Sequence, residues 1–168
     1  MSETSERQPR AHTVGIPRRG DELLVERYTT GEEPFYRPIG GGIEFGEHSH
    51  EAVVREFREE TGYEVEPVEL LGVAENVYEF AGTPGHEVSF VHEVAFVADE
   101  PYQRERLAVE EASDGATRTA TWHTPAELRS GSEPCYPAGL FDLLDDAERV
   151  ASRGEAVTDT ESHSGSAR

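Results

Sequence analysis

The stretch from Gly41 to Tyr63, GGIEFGEHSHEAVVREFREETGY, constrains this chain more than any other. Within it, Ser49 to Thr61 carries helical spacing. Ala52, Val53 and Phe57 recur at i, i+1 and i+5, an apolar stripe for a helix packed on a core. His48 and Ser49 both suit the N-cap, and Glu51 stands three residues after His48, where a capping box needs it. Gly62 follows the last turn, where a left-handed C-cap is wanted. Glu56, Glu59 and Glu60 fall at i, i+3 and i+4, so they share one face and repel one another. A hard divalent cation among them would turn that repulsion into binding, because Mg²⁺ takes oxygen ligands and often only a few from protein. Arg55 adjoins Glu56 and can orient it, and Glu47 can fold back from the preceding loop. The run Gly40-Gly41-Gly42 lets a backbone carbonyl come close. The competing reading is a solvated acidic helix face, the default for any single acid in a chain with 35 Asp and Glu. It leaves the common register of glycines, arginine and glutamates without an account.

That register, G-x5-E-x7-R-E-U-x-E-E-x-G-U with U bulky and apolar, resembles the Nudix box. Gly41, Glu47, Arg55-Glu56-Phe57, Glu59-Glu60, Gly62 and Tyr63 fill it without a gap. Tyr63 is the one departure, since the family more often has an aliphatic residue there. The resemblance is sharp over residues 41–63 and consistent in element order from about 12 to 152. It implies an α/β chain with the Nudix fold: a mixed β-sheet sandwiched between α-helices, with the box as a loop–helix–loop motif.

Charge bounds the partners. The chain of 168 residues has 15 basic residues, all Arg, against 35 acidic ones, a net charge of −20. An even scatter of acids on a patterned chain indicates a folded domain with an acidic surface. Such a surface resembles proteins from cells that keep molar salt, where screening removes self-repulsion; an ordinary acidic protein is the alternative. The charge weighs against nucleic acid and membrane as partners, since both are negative. No apolar run is long enough to span a bilayer, and MSETSERQPR lacks an apolar signal core. Those features predict a cytoplasmic location. Cys135 is the one cysteine, which excludes an intrachain disulfide and a Cys-rich zinc site.

Along the chain, residues 1–10 are expected to be disordered, 11–152 to form one domain, and 153–168 to be a flexible tail. AHTVGIP (11–17) reads as a strand, 18–21 as a turn, and ELLVERY (22–28) as the hairpin partner. Phe35 to Ile39 leads as a short strand into the glycines. After the box helix, 68–80 is strand-like, AGTPG (81–85) reads as a turn, and 87–98 alternates with apolar residues on both sides, as in a strand covered on both faces. Residues 99–115 read as a long polar loop. Thr117 to His123 is a last strand, Thr124-Pro125-Ala126-Glu127 a helix start, and Leu140, Leu143, Leu144, Ala147 and Val150 mark a C-terminal amphipathic helix.

What the resemblance implies about chemistry is a hydrolase that cleaves the diphosphate linkage of a nucleoside diphosphate joined to another moiety, with Mg²⁺ as cofactor and Mn²⁺ as a substitute. The substrate is an anionic nucleotide-type small molecule, and a homodimer is compatible with the family. Carried over by position, Glu56 and Glu60 are metal ligands, Glu59 a ligand or a neighbour of one, Glu47 an auxiliary ligand, and Gly41 a carbonyl donor. Arg55 orients Glu56. The general base lies in the box or in a loop before the last strand, where Glu110 and Glu111 stand; Glu111 is the candidate. Arg37 and Arg27 can hold a phosphate or stack on a base, and Asn76 and Glu87, beside Glu75 and His86, can read a base or ribose. His48 and His50 flank the metal loop but suit capping better than a hard cation. Tyr78 lies near the region that marks family subgroups without matching one. Two other classes are weighed. An isopentenyl diphosphate isomerase-like enzyme needs a cysteine ahead of the box helix, and Cys135 lies far beyond it. A non-catalytic nucleotide sensor often loses box glutamates, which are all present here.

Overall fold

A computed structural model describes residues 7–31, 33–111 and 115–158. The strands are β1 (Arg10–Arg19), β2 (Glu22–Tyr28), β3 (Phe35–Arg37), β4 (Ile39–Gly42), β5 (Val65–Phe80), β6 (Thr83–Phe96), β7 (Arg106–Glu110) and β8 (Thr117–His123). The helices are α1 (Ser49–Thr61), α2 (Glu100–Gln103), α3 (Pro125–Ser130) and α4 (Leu140–Thr158). The strands form one sheet in the order β5-β6-β1-β2-β8-β7, with β3 added to β2 and β4 to β1. It is mixed: β1 runs parallel to β6, and the other pairs are antiparallel.

Two apolar layers cover the sheet, one on each face. On one face Val53 and Phe57 of α1 pack with Leu24, Ile39, Val94, Phe96, Val109 and Trp122. On the other, Leu128 of α3 and Leu140 and Leu144 of α4 pack with Val14, Ile16, Leu23, Val25 and Val91. Phe57 is fully buried, and removing a ring from such a position costs about 3–5 kcal/mol. Tyr63 packs edge-on against Phe96 at 5.9 Å, so an aromatic ring serves where an aliphatic one is usual.

The hairpin of β1 and β2 opens away from its turn. The two strands pair only at Arg18–Leu23 and Arg19–Glu22; beyond that β1 pairs with β4 and β6, and β2 with β3 and β8. The split leaves a cleft whose walls are β1–β4 on one side and β2–β3 on the other.

Several expectations differ from what is seen. Residues 99–115 are not a plain loop: they contain α2 and β7, because Leu107 and Val109 alternate into the core and the Tyr102 hydroxyl accepts the Phe96 N–H at 2.9 Å, tying α2 down. The turn at 81–85 shrinks to Ala81-Gly82, both at positive φ (49° and 79°), the backbone of a tight hairpin, and Thr83 onward is paired. The first strand extends from Arg10 to Arg19 rather than ending at residue 17. Of the ends expected to be loose, Arg10 already belongs to β1 and α4 runs on to Thr158, while 1–6 and 159–168 lie outside the described residues. Among the described residues no helix is long and apolar enough to cross a membrane.

Candidate active site

The helix α1 begins and ends as its sequence requires. The His48 N–H donates to Glu51 Oε2 at 2.9 Å, and Gly62, at φ 75°, donates its N–H to the Arg58 carbonyl at 3.0 Å. Its functional face is organised by Arg55. The guanidinium donates from Nε to Glu47 Oε2 and from Nη2 to Glu47 Oε1, both at 2.8 Å, and from Nη1 to Glu56 Oε1 at 2.9 Å. Nη2 also reaches the Gly42 carbonyl at 3.0 Å, and Glu59 lies at 3.4 Å on the exposed rim. One side chain thus ties the glycine strand β4, the loop before the helix, and the helix itself. Its bonds to Glu47 hold that carboxyl below the usual carboxylate range.

Glu56 lies against the glycine run: a methyl group at Gly41 would overlap its carboxylate, so only glycine permits that approach. Burial raises the Glu56 pKa against the opposing pull of Arg55. Glu60 is deeper. It is 4% exposed, and neither carboxylate oxygen receives a hydrogen bond. Burial first, then repulsion from Glu26, Glu111 and Glu56, push its pKa up to about 10. Glu111 faces it as a second acceptor, so the two can share a hydrogen bond only when one carries a proton. Glu111 in turn pairs with Arg118 at 3.5 Å, whereas Glu110 ends β7 on the exposed side.

On β2, Glu26 is fully buried. It accepts the Tyr28 hydroxyl at 2.7 Å on Oε1, while Oε2 receives nothing. Burial pushes its pKa up to about 7, with the Tyr28 bond and the charges of Arg37 and Arg118 opposing. Sequence reasoning missed Glu26, and with it Tyr28, Arg118 and His12.

Beyond Glu26 the cleft opens into a cavity of about 340 Å³. Arg37, Asn76 and Glu87 all line it, together with Tyr28, Phe35, Tyr78, Phe80, Arg118 and Tyr136. Asn76 and Glu87 are register partners across β5 and β6, both buried. The Tyr78 hydroxyl donates to Glu87 Oε1 at 3.0 Å, and Arg37 lies 3.6 Å from Oε2. Arg37 also donates to the ring of His12 at 3.1 Å, and burial with the nearby Arg37 and Arg10 charges lowers the His12 pKa to about 2. A neutral imidazole is therefore an acceptor that fixes the guanidinium. Phe35 stacks on Tyr28 at 4.8 Å and meets Phe80 and Tyr136 edge-on, an apolar wall beside two cations.

Arg27 does not join them. Strand parity turns it to the opposite face from Glu26 and Tyr28, where it holds Glu133 through two hydrogen bonds beside a separate groove with Tyr36 and His123. Cys135 bridges to Tyr36 on β3, and burial pushes its thiol up to about 12, which leaves it a poor nucleophile.

Among the described residues no three His, Cys, Asp or Glu side chains are already gathered tightly enough to enclose an ion. The donor set nevertheless fits a hard cation. It offers buried carboxylate oxygens with no hydrogen-bond donor, a glycine strand pressed against Glu56, and an arginine that orients Glu56 from the side.

Comparison with known proteins gives concordant findings. A profile of the NUDIX domain matches residues 8–144. The chain is 43% identical over 54 residues to the NAD-capped RNA hydrolase NudC of Pseudomonas aeruginosa; the match covers 32% of this chain and spans 19% of that relative's length. A NUDIX hydrolase from Nitrosomonas europaea superposes with a TM-score of 0.60 at 19% identity, covering 84% of this chain and 90% of that one. The MutT protein of Methanosarcina mazei Go1 superposes with a TM-score of 0.60 at 20% identity, covering 88% and 99%. At these identities the structural likeness is one of fold.

Proposed function

The chain belongs to the NUDIX family, and on that premise we propose that it is a Mg²⁺-dependent hydrolase of a diphosphate linkage, with Mn²⁺ as a substitute. The substrate is a nucleoside diphosphate joined to a further group: a nucleotide sugar, a dinucleotide or a nucleoside triphosphate. The observation that carries this reading is Glu60, a buried carboxylate with no donor on either oxygen, set beside an Arg55-oriented Glu56. Glu56 and Glu60 would hold the cation, with the Gly41 carbonyl beside them and Glu59 and Glu47 at the rim. When bound, a divalent cation neutralises charge on the phosphoryl oxygens and acidifies the attacking water.

The chain's own groups do the rest. Arg55 keeps Glu56 aimed and is itself fully engaged, so it is a positioning residue. Glu111, facing Glu60, takes the proton of the attacking water; Glu110 points away. Arg37 and Arg118 stand between the carboxylates and the cavity, where the phosphate chain would pass. Asn76 and Glu87 offer donors and acceptors to a base or ribose, and Phe35 and Tyr136 an apolar surface for the base. The protein acts in the cytoplasm and needs neither nucleic acid nor membrane.

A panel of nucleotide sugars, dinucleoside polyphosphates, NADH and nucleoside triphosphates, assayed with Mg²⁺ and with EDTA, tests the proposal. Release of a nucleotide product from at least one of them, abolished by EDTA, is expected; equal rates with and without chelator would refute it.

A further inference from the structure

Glu26 lies on β2, outside the 41–63 stretch, yet the fold aims it at that stretch. Leu24, two residues earlier and on the same strand face, packs with Val53 and Phe57 of α1. Glu60 stands three residues after Phe57 and seven after Val53, on the same helix face. The strand and helix sides that meet at Leu24 and Phe57 therefore carry Glu26 and Glu60 as their next residues outward. Glu26 and Glu111 both bring negative charge close to Glu60.

Both residues are nearly sealed, 1% and 4% exposed. Tyr28 satisfies Glu26 Oε1. Glu26 Oε2 and both oxygens of Glu60 receive no hydrogen bond. Buried carboxylates on a packed strand and helix, with oxygens that receive no donor, are costly when ionised, and a hard cation is the partner that takes up such oxygens. Arg37 and Arg118 flank Glu26 on the cavity side. Their presence explains why a carboxylate is kept on β2, but not why Oε2 is left without a donor. Protonated Glu60 can share its proton with Glu111, whereas ionised Glu60 has no donor on either oxygen.

The structure assigns Glu26 a place as a cation ligand: Glu26 on β2 and Glu60 on α1 form opposite walls of an interior site for one divalent cation, Mg²⁺ or Mn²⁺. The assignment rests on the cation reading above and adds to it a ligand from outside the box.

Mn²⁺ binding to the full chain, measured by calorimetry and by the paramagnetic resonance of free Mn²⁺, tests it, with melting curves in EDTA alongside. Glu26→Gln keeps the side-chain shape and the acceptor for Tyr28, and its amide can donate to Glu60. The expected result is a protein that melts at or above the wild type in EDTA, yet binds Mn²⁺ at least about tenfold more weakly. Glu69→Gln, the same charge change on an exposed part of β5, is expected to bind as the wild type does. Unchanged Mn²⁺ affinity in Glu26→Gln, with affinity lost in Glu56→Gln, overturns the assignment and spares the cation reading. A clearly lower melting temperature of Glu26→Gln in EDTA marks Glu26 as a structural counter-ion and also overturns it. No Mn²⁺ binding by the wild type overturns both.

Discussion

Arg55 clamps Glu47 through two parallel hydrogen bonds of 2.8 Å, and it does so with the same guanidinium that donates to Glu56 at 2.9 Å. The pair is thus a brace: the loop before α1 is fastened to the side chain that aims a box carboxylate. Arg55→Ala is expected to lower kcat about ten- to a hundredfold with a smaller change in KM, because the carboxylate is kept but no longer aimed. Arg55→Lys, which cannot make the two-bonded fork, is expected to recover only part of the loss. Steady-state kinetics on any accepted substrate decides; a pure KM effect would place Arg55 on the substrate instead.

Arg37 carries the opposite expectation. It lines the cavity, and His12 and Glu87 fix it in place. Arg37→Ala is expected to raise KM about tenfold or more, the loss of a charge-assisted contact worth about 1.5–3 kcal/mol, with a smaller effect on kcat. An unchanged KM would remove Arg37 from the substrate.

His12 gives a pH signature. Burial and the neighbouring Arg37 and Arg10 charges depress its folded pKa to about 2, below the ordinary 6.5. The unfolded chain therefore binds the proton first, and the stability that the neutral ring contributes is present above pH 6.5 and lost as pH falls from 6.5 towards 2. The loss is at most about 1.4 kcal/mol for each pH unit. His12→Gln removes this component, so its melting temperature should fall less steeply between neutral and mildly acid pH than that of the wild type. Parallel slopes would show that His12 is not neutral in the fold.

Salt separates surface charge from site charge. At a net charge of −20 with no Lys, repulsion should destabilise the compact state in dilute buffer. The Debye length falls from about 10 Å at 0.1 M to about 3 Å at 1 M, so the melting temperature should rise steeply into molar KCl. Millimolar Mg²⁺ should recover part of the low-salt loss by binding only the folded state. A melting curve indifferent to KCl would refute adaptation to high salt and leave the site untouched.

Much of this was legible in the residues because a helix with a functional face repeats its logic every turn. The register from Gly41 to Tyr63 is enough to place α1 and to set Arg55 next to Glu56. Glu26 was not legible for a physical reason. In ELLVERY, Leu23 and Val25 enter one core layer and Leu24 the other, so both faces are buried and alternation no longer says which way an acid points. Arg27, a candidate because it stands near the end of the same strand, faces away from the cavity that Arg37 lines. Leu107 and Val109 form too short an alternation, among Glu and Arg, to stand out as β7. Arg37, Asn76 and Glu87 were found singly, but their meeting depends on the pairing of β5 with β6 and on the split between β1 and β2, both long-range facts.

If box carboxylates on α1 hold a divalent cation for hydrolysis, turnover must depend on Glu56 as well as on Mg²⁺. The Mg²⁺ dependence of turnover on the best substrate of the panel is compared for the wild type, Glu56→Gln and Glu110→Gln. Glu56→Gln is expected to fold but to turn over at least about a hundredfold more slowly even at saturating Mg²⁺, since metal-held charge is worth several kcal/mol in the transition state. Glu110→Gln, exposed at the end of β7, should match the wild type. Near-normal turnover by Glu56→Gln at saturating Mg²⁺ would contradict the account.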